Sequence, residues 1–192
     1  MKDLFETKYL IMQPFSEKFL ERLYDMHLNP EVLHLWDPGV EYRDFTSFAI
    51  KLTSRIAHRW DHYSVFEHKK SGKPLGFAYC YNGNELNGIT FMCVYIDSPF
   101  MGKVWCVEAA YCYLNFLFAS CGYRKVYAEV FAYNQRSLGL VKKAGFIQEG
   151  CLVEHQLWQK RYWDQYIYGL DIQRFKDMTQ DKQKLIKRLL NG

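Results

Sequence analysis

The apolar segment Phe91-Met92-Cys93-Val94-Tyr95-Ile96 is followed by Asp97-Ser98-Pro99-Phe100-Met101-Gly102-Lys103 and then by a segment of helical character around Glu108-Ala109-Ala110. β-Branched and aromatic residues predict a strand in the first segment, and Pro and Gly predict a turn in the second. A strand that leads through a turn into a helix presents backbone N–H groups and the positive end of the helix dipole. We therefore expect residues 101–107 to form a site suited to an anion.

The second half of the chain carries four further patterns in a set order. A predicted strand at residues 125–131 leads to Asn134-Gln135-Arg136-Ser137, and then come Gly145-Phe146, Glu149-Gly150-Cys151 and Tyr162-Trp163-Asp164. Together with the strand, turn and helix described above, this order resembles the GNAT superfamily of acyl-CoA-dependent N-acetyltransferases. The branch that it resembles most is that of the ribosomal-protein N-terminal acetyltransferases of RimJ/RimL type. The resemblance extends over residues 7–172 and is most specific in the second half.

The resemblance implies an α+β fold, in which a mixed central β-sheet of about six to seven strands is flanked by helices. Local patterns place strands at residues 8–15, 63–68, 74–81, 89–96, 125–131, 146–158 and 166–171. Helices are expected after Ser16 and Asp44, which are good N-cap residues, and at residues 108–120 and 136–144.

The resemblance also implies acetyl-CoA as the co-substrate and an acetyltransferase activity that proceeds by direct attack of a primary amine in a ternary complex. The pantetheine arm would lie along the strand as a pseudo-strand, and the pyrophosphate would lie at the helix N-terminus. The residues expected to bind the cofactor are Met92, Cys93, Val94, Tyr95, Met101, Gly102, Lys103, Val104, Trp105, Cys106, Val107, Asn134 and Ser137. No metal is expected, because His58 and His62, at i and i+4 on a predicted helix, lack the glutamate of an H-E-x-x-H site.

Catalysis needs a neutral amine, a polarised thioester carbonyl and a proton for the departing thiolate. Many relatives use a Tyr as the proton donor, and the matching residue here is Val141. The RimJ/RimL branch uses a Ser at the position of Ser137, which is therefore the first catalytic candidate. Its hydroxyl would act by positioning and hydrogen bonding more than as an acid, and the alternative is that Ser137 only caps a helix or contacts CoA.

The general base is less well defined by the sequence. The residue expected from the RimL-like pattern is Gln156, which cannot accept a proton. Glu154 lies two residues earlier, on the same strand face by alternation, and is the first candidate for the base. His34 and Asp37 are alternatives that would act through a water, and Glu154 could also be a solvated carboxylate at the edge of the sheet.

One further departure from the family concerns cofactor binding. Val104 stands where the family has a small residue.

The segment of residues 29–63 is rich in aromatic and acidic residues and would suit a cationic amine, with Trp36, Asp37 and Tyr42 as the expected acceptor-binding residues. The acceptor would be a protein N-terminus or a small amine such as a polyamine, an amino sugar or an antibiotic. The rival interpretations are that these aromatics form the core, and that the chain is a catalytically silent acyl-CoA-binding or partner-binding domain.

The composition excludes several other classes of protein. With 192 residues, of which 49% are hydrophobic, the chain can form a single domain at residues 1–172, followed by a basic amphipathic C-terminal helix at residues 173–192. The net charge of +4 equals that of the last 20 residues, so the neutral body predicts no binding of nucleic acid. The six cysteines form no C-x-x-C pattern, and the sequence has no signal peptide and no apolar run of about 18 residues. These observations predict a cytoplasmic protein that does not bind membranes. Its expected oligomeric state is a monomer or a homodimer.

Overall fold

A computed structural model describes residues 6–35, 44–58, 60–97, 100 and 104–180 of the chain. The elements in chain order are β1 (Leu10–Pro14), a 3-10 turn (Glu17–Phe19), α1 (Leu20–His27), α2 (Pro30–Leu33), α3 (Phe45–His58), β2 (Trp60–His68), β3 (Pro74–Asn84), β4 (Ile89–Ile96), α4 (Val104–Ala119), β5 (Lys125–Phe131), α5 (Gln135–Lys143), β6 (Ile147–Trp158), β7 (Arg161–Asp171) and α6 (Ile172–Thr179).

The strands form one seven-stranded sheet in the order β1-β2-β3-β4-β5-β7-β6. β4 and β5 are parallel, whereas the β1–β2, β2–β3, β5–β7 and β6–β7 pairs are antiparallel. The parallel pairing extends from Ile89–Lys125 to Phe91–Tyr127, although β4 continues to Ile96 and β5 to Phe131. The predicted α+β fold with a mixed sheet of about six to seven strands is confirmed, and the sheet has seven.

The chain divides into two compact units, and each unit contains two stretches of sequence. Unit 1 consists of Met1–Gly83 and Cys93–Phe116, and unit 2 consists of Asn84–Met92 and Leu117–Gly192. β4 and α4 each contribute residues to both units. The grouping of residues 1–172 into one domain stays a prediction.

The core of unit 1 is an aromatic cluster beneath α1 and α3. The His27 ring is fully buried, stacks on Phe77 with 4.8 Å between ring centroids, and meets Phe48 edge-on at 5.1 Å. The Nε2 atom of His27 lies 3.4 Å from the Tyr63 hydroxyl. Burial, with a smaller contribution from the Arg55 charge, lowers the pKa of His27 to about 3, so this imidazole is neutral at physiological pH.

Two local predictions about helix starts had different outcomes. Asp44 caps α3 as expected: its carboxylate accepts from the Ser47 N–H at 2.7 Å, and the Ser47 hydroxyl accepts from the Asp44 N–H at 3.1 Å. The predicted side-chain cap by Ser16 is wrong, because its hydroxyl makes no cap hydrogen bond. The Ser16 carbonyl accepts from the Phe19 N–H at 3.0 Å instead, and a 3-10 turn precedes α1.

The predicted strand limits are only partly correct: β2 begins at Trp60 and β7 at Arg161, before the expected residues 63 and 166. β4 and β5 have the predicted limits, whereas β3 extends to Asn84 and the turn falls on residues 85–88. Of the predicted C-terminal helix at residues 173–192, α6 includes residues 173–179, and residues 181–192 lie outside the described residues. Among the helices that the structure describes, none is long and apolar enough to cross a membrane.

Candidate active site

The residues of β4 differ in their accessibility. Met92, Cys93 and Val94 are half-buried, so a ligand that lies along the strand could reach them. The Tyr95 side chain is buried in the core of unit 1, stacks on Phe77 at 5.0 Å and donates its hydroxyl to Asp97 Oδ1 at 3.2 Å. Burial and the nearby Asp97 carboxylate raise the pKa of Tyr95 well above its ordinary value, which keeps the hydroxyl a neutral donor. Of these four residues, Tyr95 could therefore serve a cofactor only through its backbone.

The first turn of α4 consists of Val104, Trp105, Cys106 and Val107. Val107 is buried, and the other three side chains are half-buried. The Trp105 ring packs on Phe100 at 5.1 Å and on His68 at 5.5 Å. In the first turn of a helix the backbone N–H groups have no acceptor one turn earlier in that helix, so this end can hold an anion. Met101, Gly102 and Lys103, also expected at this site, lie outside the described residues.

A buried carboxylate in α4 anchors the beginning of the described chain. Glu108 is 2% exposed, and it accepts hydrogen bonds from the Thr7 hydroxyl and from the Tyr9 N–H, the latter at 3.2 Å. Burying a carboxylate without such donors would be costly. Glu108 therefore has a structural role next to the first turn of α4.

Asp97 connects the end of β4 to its surroundings through both its side chain and its backbone. Its carboxylate forms an ion pair with Arg22 of α1 and accepts from Tyr95, and its N–H donates to the Leu75 carbonyl at 2.8 Å. Its own carbonyl accepts from the Phe100 N–H at 2.8 Å. The sequence offered a weak signal for Asp97, an acid directly after an apolar strand, and none for Arg22.

Asn134 and Ser137 are brought together at the start of α5 in unit 2. The Asn134 side chain is the N-cap and accepts from the Ser137 N–H at 3.1 Å. Asn134 is 7% exposed, and Ser137 is half-buried at the third position of the helix. The cap uses the Asn134 side chain and the Ser137 backbone, so the Ser137 hydroxyl is not needed for it.

The Gly145-Phe146 pair terminates α5. Gly145 has φ of +83°, a conformation that an L side chain rarely adopts, and a Cβ there would lie 2.0 Å from Met178 Sδ of α6. The Arg174 Nε donates to the Gly145 carbonyl at 2.6 Å, and the Phe146 N–H donates to the Val141 carbonyl at 3.0 Å. This part of the family signature therefore has a structural explanation within unit 2.

The alternation used to place Glu154 does not hold. The register of β6 against β7 shifts between Leu152–Gln165 and Gln156–Trp163, and this bulge contains Glu154 at φ of +51°. The Glu154 N–H donates to Asp164 Oδ1 at 2.9 Å, and its side chain is exposed. Because a bulge interrupts the two-residue period, a shared face for Glu154 and Gln156 cannot be deduced from their spacing.

The expected acceptor residues Trp36, Asp37 and Tyr42 lie outside the described residues. Of the aromatics around them, Phe48 and Tyr63 are buried in the core of unit 1, whereas Phe45 is 39% exposed. The rival interpretation, that aromatics of this segment form the core, is thus correct for Phe48 and Tyr63.

The placement of His58 and His62 on one helix is wrong. α3 ends at His58, and His62 lies in β2 with φ of +50°. Within the described ranges, no group of three or more His, Cys, Asp or Glu side chains is arranged to hold a metal ion.

The chain was also compared with known proteins. The family model "Acetyltransferase (GNAT) domain" matches residues 9–147. The SPbeta prophage-derived uncharacterized N-acetyltransferase YokL of Bacillus subtilis (strain 168) is 26% identical over 102 residues, which are 53% of this chain and 58% of that protein. The chain thus matches only a little over half the length of this relative.

Solved structures of similar fold include two N-acetyltransferases. The spermidine N-acetyltransferase from Vibrio cholerae in complex with CoA and spermine has a TM-score of 0.79 and 18% identity, covering 88% of this chain and 99% of that one. A GCN5-related N-acetyltransferase from Brucella melitensis has a TM-score of 0.79 and 18% identity, covering 95% of this chain and 84% of that one. These likenesses establish a shared fold. Because the family model matches well over half of its length, the chain belongs to the acetyltransferase (GNAT) family.

Proposed function

We propose that this chain is an N-acetyltransferase that transfers an acetyl group from acetyl-CoA to a small primary amine. The observation that carries the proposal is the match of the GNAT domain model to residues 9–147, which include β4, the first turn of α4 and the start of α5. The RimJ/RimL branch stays a prediction, and with it a protein N-terminus as the alternative acceptor.

The residues of unit 1 would bind the cofactor. The first-turn N–H groups of α4, from Val104 to Val107, would hold the pyrophosphate, while the packing of Trp105 on Phe100 and His68 keeps that turn in place. Cys93 and Val94 would offer backbone groups of β4 to the pantetheine arm. Met101, Gly102 and Lys103 belong to the same proposed site by sequence.

The residues of unit 2 would assist the chemistry. The amine nitrogen attacks the thioester carbonyl, the C–N bond forms, the C–S bond breaks, and the thiolate takes a proton while the amine loses one. The Ser137 hydroxyl would donate a hydrogen bond to the departing sulfur, and Asn134 orients Ser137 by capping its helix. Glu154 is exposed and would accept the amine's proton directly or through water. Met92, half-buried in β4, is a further residue of the cofactor site that the sequence predicts.

A polyamine is the acceptor that we propose first. A protein of similar fold is a spermidine N-acetyltransferase, crystallised with CoA and spermine. In this chain the corresponding argument rests on sequence: residues 29–63 carry Trp36, Tyr42 and other aromatics together with Asp37, Glu41 and Asp44. Aromatic faces and carboxylates both attract an alkylammonium ion.

The experiment is to incubate the purified chain with acetyl-CoA and a panel of amines, and to follow thiol release together with the mass of the acetylated product. The panel contains spermidine, spermine, an amino sugar, an aminoglycoside and a peptide with a free N-terminus. We expect turnover with a small amine and little with the peptide. CoA binding without turnover of any amine or peptide would favour the silent acyl-CoA-binding domain, and turnover of the peptide alone would favour the protein N-terminus.

A further inference from the structure

We propose that the Arg22–Asp97 ion pair positions Phe100 and, through it, the first turn of α4 for binding of the CoA pyrophosphate. Both residues belong to unit 1, 75 positions apart in sequence, and the pair joins α1 to the end of β4. The inference rests on the proposed function, because it assigns residues to the binding of acetyl-CoA. Neither residue need contact the cofactor, so both are positioning residues.

The first step of the argument is how firmly Asp97 is held. Its carboxylate is 8% exposed, pairs with Arg22 and accepts from the Tyr95 hydroxyl at 3.2 Å. Its N–H donates to the Leu75 carbonyl at 2.8 Å. Three separate elements, α1, β3 and β4, thus determine where Asp97 lies, and charge-assisted hydrogen bonds are the strongest of these contacts.

The second step leads from Asp97 to the first turn of α4. The Asp97 carbonyl accepts from the Phe100 N–H at 2.8 Å. The Phe100 ring packs on Trp105 at 5.1 Å, and the Phe100 carbonyl accepts from Cys106 Sγ at 3.9 Å. A chain of contacts therefore runs from Arg22 through Asp97 and Phe100 to the N–H groups that would hold the pyrophosphate.

The third step concerns charge. Asp97 places a buried carboxylate on the chain of contacts that leads to the proposed anion site, and an uncompensated negative charge there would oppose the binding of an anion. Arg22 neutralises it. Arg22 also lies 3.8 Å from Asp25, but that carboxylate is 67% exposed, so solvent weakens this second pair. Replacing Arg22 alone should therefore weaken the binding of a pyrophosphate more than replacing both Arg22 and Asp97 by neutral residues.

The test compares two acyl donors: acetyl-CoA, and S-acetylpantetheine, which lacks the pyrophosphate. With Arg22→Gln we expect KM for acetyl-CoA to rise about tenfold, as for one lost charge-assisted contact, while KM for S-acetylpantetheine and kcat change by less than about twofold. Arg22→Lys should retain most of the affinity. The double variant Arg22→Gln/Asp97→Asn should recover part of the affinity for acetyl-CoA that Arg22→Gln loses. Asp25→Asn, which removes the exposed partner of Arg22, is the matched control and should leave both KM values unchanged.

An equal rise in KM for both donors would mean that Arg22 only supports the fold, and no rise for either would mean that it has no role in binding; both results overturn the inference. A measurement that does not depend on activity is amide hydrogen exchange of residues 97–106 in the unliganded protein. Arg22→Gln should speed exchange at the Phe100 N–H, and unchanged exchange would also overturn the inference. If the wild-type chain transfers no acetyl group but this exchange effect is present, the proposed function fails while the structural link stands.

Discussion

The Ser137 N–H donates to the Asn134 side-chain oxygen at 3.1 Å, so the capping of α5 is complete without the Ser137 hydroxyl. From the sequence alone, the roles of Asn134 and Ser137 could not be told apart, because both residues lie in one short signature. The hydrogen bond between them assigns each a different role. Asn134 stabilises the helix, and Ser137 keeps a hydroxyl that the cap does not use. The two residues should therefore respond differently to truncation.

Ser137→Ala should lower kcat by about tenfold or more, with a change in the free energy of unfolding below about 0.5 kcal/mol. The physical reason is loss of a hydrogen bond to the departing sulfur. Steady-state kinetics and chemical denaturation provide the two measurements. Asn134→Ala is the contrasting variant, which should lose about 1 kcal/mol of stability because it removes the cap. An unchanged kcat in a folded Ser137→Ala protein would leave Ser137 without a catalytic role.

His27 should make stability depend on pH. Its pKa is about 3 in the folded protein and near 6.5 in the unfolded chain, so between these values the unfolded state binds the additional proton. The contribution of neutral His27 to the free energy of unfolding is complete above about pH 6.5. It falls as the pH decreases towards 3, with a slope approaching about 1.4 kcal/mol per pH unit. His27→Phe should remove this slope in denaturant titrations at several pH values. His155 is exposed, and the control variant His155→Gln should retain the slope in the same titrations. Equal slopes in wild type and His27→Phe would contradict the assignment of the slope to His27.

Gly76→Ala should destabilise the protein by about 1–3 kcal/mol. A Cβ at Gly76 would lie 2.1 Å from the Tyr95 carbonyl oxygen, and a backbone atom cannot move aside as a flexible side chain can. Gly139→Ala is the matched control, because nothing lies within 4 Å of a Cβ at Gly139 in α5. That change should stabilise the protein by about 0.5–1 kcal/mol through helix propensity. Thermal or urea unfolding of both variants checks the difference, and similar effects of the two changes would refute the close approach of β4 to Gly76.

Val104→Gly should tighten CoA binding by a few-fold, or about 0.5–1 kcal/mol. Val104 is the first residue of α4 and is half-buried, and a smaller residue there allows the backbone to approach the pyrophosphate more closely. Val104→Ala removes the two methyl groups without the entropy cost of glycine, so it should also tighten binding. Calorimetric titration with CoA compares the three proteins. Equal or weaker binding in both variants would mean that Val104 does not impair the site.

Local patterns in the sequence were sufficient for most elements of the fold. The bounds of β4 and β5 follow from apolar runs that end at turn residues, and the Asp44 cap follows from a polar side chain at the start of a helical period. Gly145 was a predicted helix end, and its φ of +83° gives the reason. These features depend on interactions between residues a few positions apart, which a sequence displays directly.

What the sequence by itself determined is thus the order of the main strands and helices, the limits of β4 and β5, and the Asp44 cap. The tertiary structure alone decided which distant residues meet: Arg22 with Asp97, 75 positions away, and Thr7 with Glu108, 101 positions away. It also decided the bulge that places Glu154 at φ of +51°, where strand alternation predicted a regular face. The physical reason is that backbone preferences and caps act within a few residues, whereas ion pairs and register shifts depend on how separate elements pack, and no local period encodes that packing.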